Sequence, residues 1–369
     1  MHTHTTTICG LTALALFTSS AYAWGALGHQ TIGFVAQEFL APNAAAFVQK
    51  HLNSTFNHSL GTAATWADDV KGETAFKWSA NLHFVDAEDS APDSCSVEEE
   101  RDCSTNICIL AAIANYTARV VDTSLNSEQT FEALAFIDHF LGDIGQPLHV
   151  EAVAAGGNDI SAVCGGSKTN LHATWDTGMV TKHVSLSHGG TSQSYAADLV
   201  QEIKTGSFSS LTSSWLECSS TTETLSQSGL QRRFEQRSPE TPTIPRRGLV
   251  EVSGLPFVPS DTVGNLGNGL KPKQSGGIKR DINKILQLSK RAGGFDDSTI
   301  VPLECPLVWA RETNAFDCTV VFDFEQGQDL CTGTYFNNAI PVIDLQLAKQ
   351  GFRLAAWLNV LFDGETFLD

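Results

Sequence analysis

Eight residues of types that commonly hold metal ions fall within 148 positions of this chain. They are His29, Asp68 in TWADD, His83 in NLHFVD, His139 and Asp143 in FIDHFLGD, His149 in QPLH, and His172 and Asp176 in LHATWD. His139 and Asp143 are four residues apart, so on a helix both side chains leave the same face, one turn apart. His172 and Asp176 repeat that spacing. Two such pairs on different helices can converge on a metal cluster inside a helical bundle. Imidazole and carboxylate without paired thiolates suit a catalytic zinc that keeps one position open for water. Taken singly, each residue has a plainer explanation. A lone His-x3-Asp pair is most often solvated, Asp68 beside Asp69 reads as an exposed turn, and His172 near Trp175 reads as a core histidine. Eight together, in segments otherwise rich in apolar residues, favour the metal. His51, His58, His183 and His188 have no comparable setting and are read as surface residues.

The elements that must carry these side chains are helical. Apolar residues recur with helical periodicity over Gln30–Leu40, Ile107–Val121, Glu128–Gly142, Leu171–Lys182, Tyr195–Thr205 and Ile343–Leu361. In the last of these, Leu345, Ala348, Phe352, Ala355, Ala356 and Val360 share one face. Strand signals are few, the best being Asn81–Val85. Gly156-Gly157-Asn158 reads as a turn, because no strand-to-helix context surrounds it. A nucleophile elbow, a P-loop and a dinucleotide fingerprint are all lacking in any believable context. The chain is expected to be mostly α with long functional loops.

Residues 1–23 have the pattern of a signal peptide: a short apolar run, Ile8 to Phe17, then Ala21-Tyr22-Ala23 as a small-x-small cleavage site. Cleavage there would make Trp24 the first residue, in a soluble, secreted product. Eight cysteines then remain, an even number for an oxidising compartment, and no Cys-x2-Cys pair points to a thiolate zinc site. Cys95, Cys103 and Cys108 lie in a polar stretch fit for disulfides, while Cys164, Cys218, Cys305 and Cys331 resist pairing on sequence alone. Sequons at Asn53, Asn57 and Asn115 agree with export.

The net charge of −18 excludes a protein that grips nucleic acid through a basic surface. It leaves room for one that carries its positive charge as metal ions. Residues 221–300 differ from the rest: they hold 12 of the 23 Lys and Arg, 8 of the 41 Asp and Glu, and six of the twelve prolines, with poor periodicity. We expect one catalytic domain from residues 24–220 and 303–369, interrupted at 221–302 by a disordered insertion or a gene-model artefact.

The motifs WGALGH, TWADD, HFVDAED, FIDHFLGDIGQPLH, GGND, NLHATWD and RLAAWL, in that order, resemble the S1/P1 nuclease family over about residues 24–217 and 303–361. The family comprises secreted fungal and plant zinc enzymes related in fold to zinc phospholipases C. The resemblance implies a helical fold of that type and three Zn²⁺ ions. Asp68, His83, His139 and Asp143 would hold one ion, and His149, His172 and Asp176 a second. Trp24, through its α-amine and carbonyl, would hold the third with His29 and the bridging Asp143. An α-amine has a pKa near 8, so a metal readily displaces its proton.

By the same resemblance, Asp86 orients the attacking water, and Phe84, Lys71 and Asn158 lie near the substrate. Cys95 pairs with Cys318 and Cys103 with Cys108, Asn115 is glycosylated, and Cys218–Cys305 would close the base of the insertion. The implied activity is hydrolysis of single-stranded DNA and RNA to 5′-phosphorylated products, with 3′-nucleotidase activity, by a monomer without a membrane anchor. Two alternatives stand beside it: a zinc phospholipase C on the same scaffold, and a secreted zinc-binding protein whose cleft the insertion blocks. The chain departs from the family at Gly145, where a histidine is usual, and at Gly178, where the family has an asparagine.

Overall fold

The computed structural model describes residues 24–217 and 305–368, and the backbone of 249–250 and 258–259. Thirteen α-helices are described. They are α1 (Ala26–Gln37), α2 (Pro42–His51), α3 (Leu60–Ala63), α4 (Trp66–Val70), α5 (Glu99–Asp102), α6 (Ile109–Val120), α7 (Ser127–Asp143), α8 (Leu171–Ala173), α9 (Met179–Ser187), α10 (Ser192–Lys204), α11 (Thr212–Trp215), α12 (Cys305–Phe316) and α13 (Gly333–Phe362). Strands β1 (Ser161–Cys164) and β2 (Ser167–Asn170) form an antiparallel hairpin, as do the two-residue strands β3 (Leu249–Val250) and β4 (Val258–Pro259). Gly165 and Gly166 both take positive φ at the first hairpin's tip, the requirement of a tight two-residue turn.

The 30-residue α13 is the axis of the molecule, and α1, α2, α7, α9 and α10 pack around it. Nearly every residue from Gln346 to Leu361 is buried, so this helix lacks a solvent face over its second half. Most of its buried polar residues are matched individually, Gln350 being the exception among the described residues. Gln346 donates to the Gly145 carbonyl (2.8 Å) and to Thr313 (3.0 Å). Asn359 accepts from the Ala41 amide and donates to the Phe39 and Thr366 carbonyls. Lys349 and Arg353 both meet Glu312 of α12, and the Arg353 guanidinium lies over the Trp309 ring at 4.5 Å.

Local chemistry sets the helix that carries His139 and Asp143. Asn126 and Gln129 form a reciprocal capping box at the start of α7, which fixes where the helix begins. Phe136 and Phe140, one turn apart, stack on each other, and Phe136 also stacks on Tyr116 of α6, which meets Phe140 at a tilt; these contacts fix how α7 is rotated. The predicted helix Leu171–Lys182 is present but interrupted. A π-turn at Thr174–Gly178 separates α8 from α9, and such single-turn bulges are frequent at functional sites.

The predicted strand Asn81–Val85 does not form. Lys77–Leu82 is a 3-10 helix and His83 keeps helical backbone angles. The residues that follow bond to loops instead of a sheet: the Val85 amide donates to the His149 carbonyl (2.9 Å) and the Phe84 carbonyl accepts from Ile109 (2.9 Å). Disulfides join Cys95 to Cys318, Cys103 to Cys108, and Cys164 to Cys331. Cys305 is disulfide-bonded as well, and Cys218, its expected partner, lies outside the described residues. Residues 1–23 and almost all of 221–302 lie outside them too.

Candidate metal centre and active site

All eight predicted His and Asp ligands are buried. Their ligand atoms gather in three groups, each within 4.8 Å: His29, Asp68 and His139; His83, His139 and Asp143; and His149, His172 and Asp176. Helix α1 supplies His29, α4 Asp68, α7 His139 and Asp143, and α8 with its π-turn His172 and Asp176. His83 and His149 come from the ends of 3-10 turns held edge to edge, because the His149 Nδ1 donates to the His83 carbonyl (2.8 Å).

Backbone carbonyls set the orientation of the imidazoles. His139 Nδ1 donates to Ala64 (2.6 Å), and His172 Nδ1 donates to Gly156 (2.6 Å). With Nδ1 of His139, His149 and His172 bonded to backbone carbonyls, each Nε2 faces the centre. His83 instead turns Nδ1 to Asp143 Oδ2 at 3.0 Å. The turn read from Gly156-Gly157 is present, and Gly156 has φ +59° so that its carbonyl can reach His172. A Cβ there would lie 2.5 Å from the Leu148 oxygen.

Charge in the centre is arranged for a cation. Burial alone would raise the carboxyl pKa of Asp68 and Asp143, but the surrounding histidines, and Lys71 beside Asp68, hold both carboxylates ionised well below the usual range. Burial pushes His29 and His149 down, and His83 down to about 4. His139 is the exception: its burial is outweighed by Asp143 and Asp68, which raise it to about 10.

Several atoms aimed inward have no aligned hydrogen-bond partner among the described residues. They are Nε2 of His29, His139 and His149, Oδ1 of Asp143 and Oδ2 of Asp176. Close pairs exist, such as His29 Nε2 to Asp143 Oδ1 at 3.1 Å, yet they are not directed as hydrogen bonds. Buried lone pairs without donors are costly, and nitrogen and oxygen atoms converging in this way fit bound divalent metal ions.

Trp24 is fully buried at the start of α1, and the neighbouring Gly25 amide donates to the Asp176 carbonyl (2.8 Å). That bond ties the Trp24 end of the described chain to the His172–Asp176 turn. Lys71, on the C-terminal end of α4, donates to Asp68 Oδ1 at 2.6 Å. Phe84 is half-buried and Asp86 exposed on the strip after His83. The strip lies along His149 and the residues after it, through the Val85–His149 and Ala152–Ala87 backbone bonds. Partial desolvation of the carboxyl first, then Glu88 and Asp102, raise the Asp86 pKa above its ordinary value. Asn158 donates to the Ala155 carbonyl within the glycine turn.

One supporting residue escaped the sequence reading. The amide of Gln146 donates to Asp176 Oδ1 (2.5 Å) and its oxygen accepts from Leu148, so it orients a ligand from outside the cluster. The QPLH motif contains it, but nothing in a glutamine's type announces that role. Gln350 of α13 fills the space beside Gly145, where the family usually has a histidine.

One reading changes. His183 and His188 are not free surface residues, since both are part-buried and bonded to carboxylates. Of the three sequons, Asn53 and Asn57 are exposed and Asn115, on α6, is 5 % exposed.

Fold and site define a helical protein built around a buried cluster of histidines and aspartates able to hold metal ions. The sequence profile of the S1/P1 nuclease family matches residues 24–236 and 273–363, so the chain belongs to that family, whose enzymes are zinc-dependent nucleases. The unmatched residues are 237–272, so the match runs into both ends of the segment 221–302 expected to be an insertion. The chain is 34% identical over 346 residues to nuclease PA3 of a Penicillium species and to nuclease P1 of Penicillium citrinum. Each alignment spans 93% of this chain and 99% of the relative. It is 31% identical over 344 residues to nuclease S1 of Aspergillus oryzae, covering 92% of both.

Proposed function

We propose that this chain is a secreted, monomeric nuclease that binds three Zn²⁺ and hydrolyses single-stranded DNA and RNA to 5′-phosphorylated products, with 3′-nucleotidase activity. The observation that supports this most is the convergence of orphaned, buried ligand atoms in a chain matching the S1/P1 family along most of its length. When bound, zinc supplies a Lewis acid for the phosphate oxygens and lowers the pKa of a water toward about 7.

The protein's own groups do the rest. Asp86 accepts the proton of the attacking water; its raised carboxyl pKa makes it a better base than an ordinary aspartate. The backbone bonds of Val85 and Ala87 hold Asp86 beside the His149 loop. Lys71 helps His139 keep Asp68 ionised and adds positive charge where the phosphate enters. Phe84 offers a ring face to a base, and Asn158 an amide on the opposite loop. Stacking tolerates any base and needs an unpaired one, which supports a single-strand preference.

Trp24 contributes its α-amine and carbonyl to the third ion once the 23 preceding residues are removed. The test is an assay of the secreted protein on single-stranded and duplex DNA, on RNA, and on choline phospholipids. Rapid loss of the single strands with 5′-phosphate ends supports the reading. Lipid hydrolysis without DNA cleavage favours the phospholipase alternative.

A further inference from the structure

A second constellation with metal-ligand geometry lies outside the buried centre. His183 is on α9, and His188 caps that helix at its C-terminus. Five residues apart, two helical side chains would not share a face. His188, however, has left the helix at φ −127° and ψ 30°, and Gly189 and Gly190 then reverse the chain with positive φ. The two Nε2 atoms come to 2.9 Å of each other, and Oδ1 of Asp344 on α13 lies 3.0 Å from His183 Nε2. All three ligand atoms are mutually within 4.8 Å. The rings meet edge to face at 74°, aiming nitrogens at one point instead of stacking.

The outer bonds favour the same assignment. His188 Nδ1 donates to Asp198 Oδ2 at 2.6 Å, which leaves its Nε2 as a lone pair facing inward. The Tyr195 hydroxyl donates to Asp344 Oδ1 and fixes that carboxylate. Two ligands on a tetrahedral ion, bound at about 2.0–2.1 Å, stand about 3.3 Å apart. The observed 2.9 and 3.0 Å therefore need only a small outward adjustment. Side-chain exposures of 14% for His188 and 25% for Asp344 leave a route for the ion and a position for water.

We propose that His183, His188 and Asp344 form a further divalent transition-metal site, of the type that takes Zn²⁺, separate from the buried centre. Two imidazoles and one carboxylate suit zinc better than Mg²⁺ or Ca²⁺. The ion ties the end of α9 to α13 directly, and to α10 through Asp198 and Tyr195. It is a structural clamp on the helix that continues from His172 and Asp176, and it stands whether or not the proposed activity is correct.

The test uses the full secreted chain, loaded with Zn²⁺ and dialysed, with His188→Gln and Asp344→Asn as variants. The wild type is expected to retain one zinc more per chain than either variant by elemental analysis. Melting temperature should fall in the variants while the rate on single-stranded DNA is unchanged. Crystals of the wild type should show an anomalous zinc peak within about 2.1 Å of both Nε2 atoms. Equal zinc content in wild type and His188→Gln overturns the proposal. So does the absence of that peak in crystals that show zinc at the buried centre, a result independent of how the variants fold.

Discussion

At the scale of single residues, the account rests on lone pairs and protons. Asp86, assigned as the base by the family resemblance, has its carboxyl pKa raised by partial desolvation and by Glu88 and Asp102. Asp86→Asn is expected to lower kcat by roughly 10²–10⁴, the range for losing a general base, while zinc content stays at the wild-type level. The sign of the pH effect follows. A base works only above its pKa, and Glu88 repels the Asp86 carboxylate and keeps that pKa high. Glu88→Gln should therefore move the acidic limb of the kcat/KM profile to lower pH, and a limb that stays in place would remove Asp86 from the role. Trp24 gives a second expectation. A protein retaining Ala23 before Trp24 should lose zinc affinity and activity together, measured by metal content and initial rate. The cluster was readable in the sequence because two i, i+4 pairs stood among eight residues of metal-binding type in otherwise apolar segments. The partners that orient them were not readable. Most are backbone carbonyls, of Ala64, His83 and Gly156, and any residue type offers a carbonyl.

At the scale of elements, helices with a plain apolar periodicity were legible, and α6, α7 and α10 lie within a few residues of their predicted bounds. The first turns of α13 were not, because Pro341 has no amide to give and reads as a helix stop. The misread strand at 81–85 has a physical cause as well. His83 must face Asp143 while its carbonyl meets His149, and that pull bends the segment away from any ladder. The His183–His188 contact was hidden for the opposite reason, since the helix end and not helical spacing creates it.

Glu312 shows what an element junction is worth. Its burial favours the neutral acid, but Arg353 and Lys349 hold its pKa low, so the charged form ties α12 to α13. Glu312→Gln strands two buried cations. Because the Glu312 side chain is 38% exposed, the expected cost is about 2 kcal/mol, below the roughly 3–5 kcal/mol of a fully buried pair. Calorimetry should show a melting temperature lower by about 4–8 °C.

At the scale of the whole molecule, the acidic chain and its proposed substrate form one problem. A net charge of −18 repels a polyanion, so the protein alone has no general affinity for nucleic acid. Productive binding then depends on positive charge concentrated at the centre, which the buried carboxylates and the histidines beside them are arranged to hold. Three Zn²⁺ would add +6 at that point without making the surface basic. The disulfide Cys95–Cys318 spans 223 residues and joins the strip after His83 to the turn following α12, so the two described parts of the chain are covalently closed around the centre. The most direct measurement is hydrolysis of single-stranded DNA by the secreted protein before and after zinc chelation, and again after Zn²⁺ is restored. The account predicts loss of cleavage with the metal and recovery with Zn²⁺. Cleavage that continues undiminished in metal-free protein would contradict it.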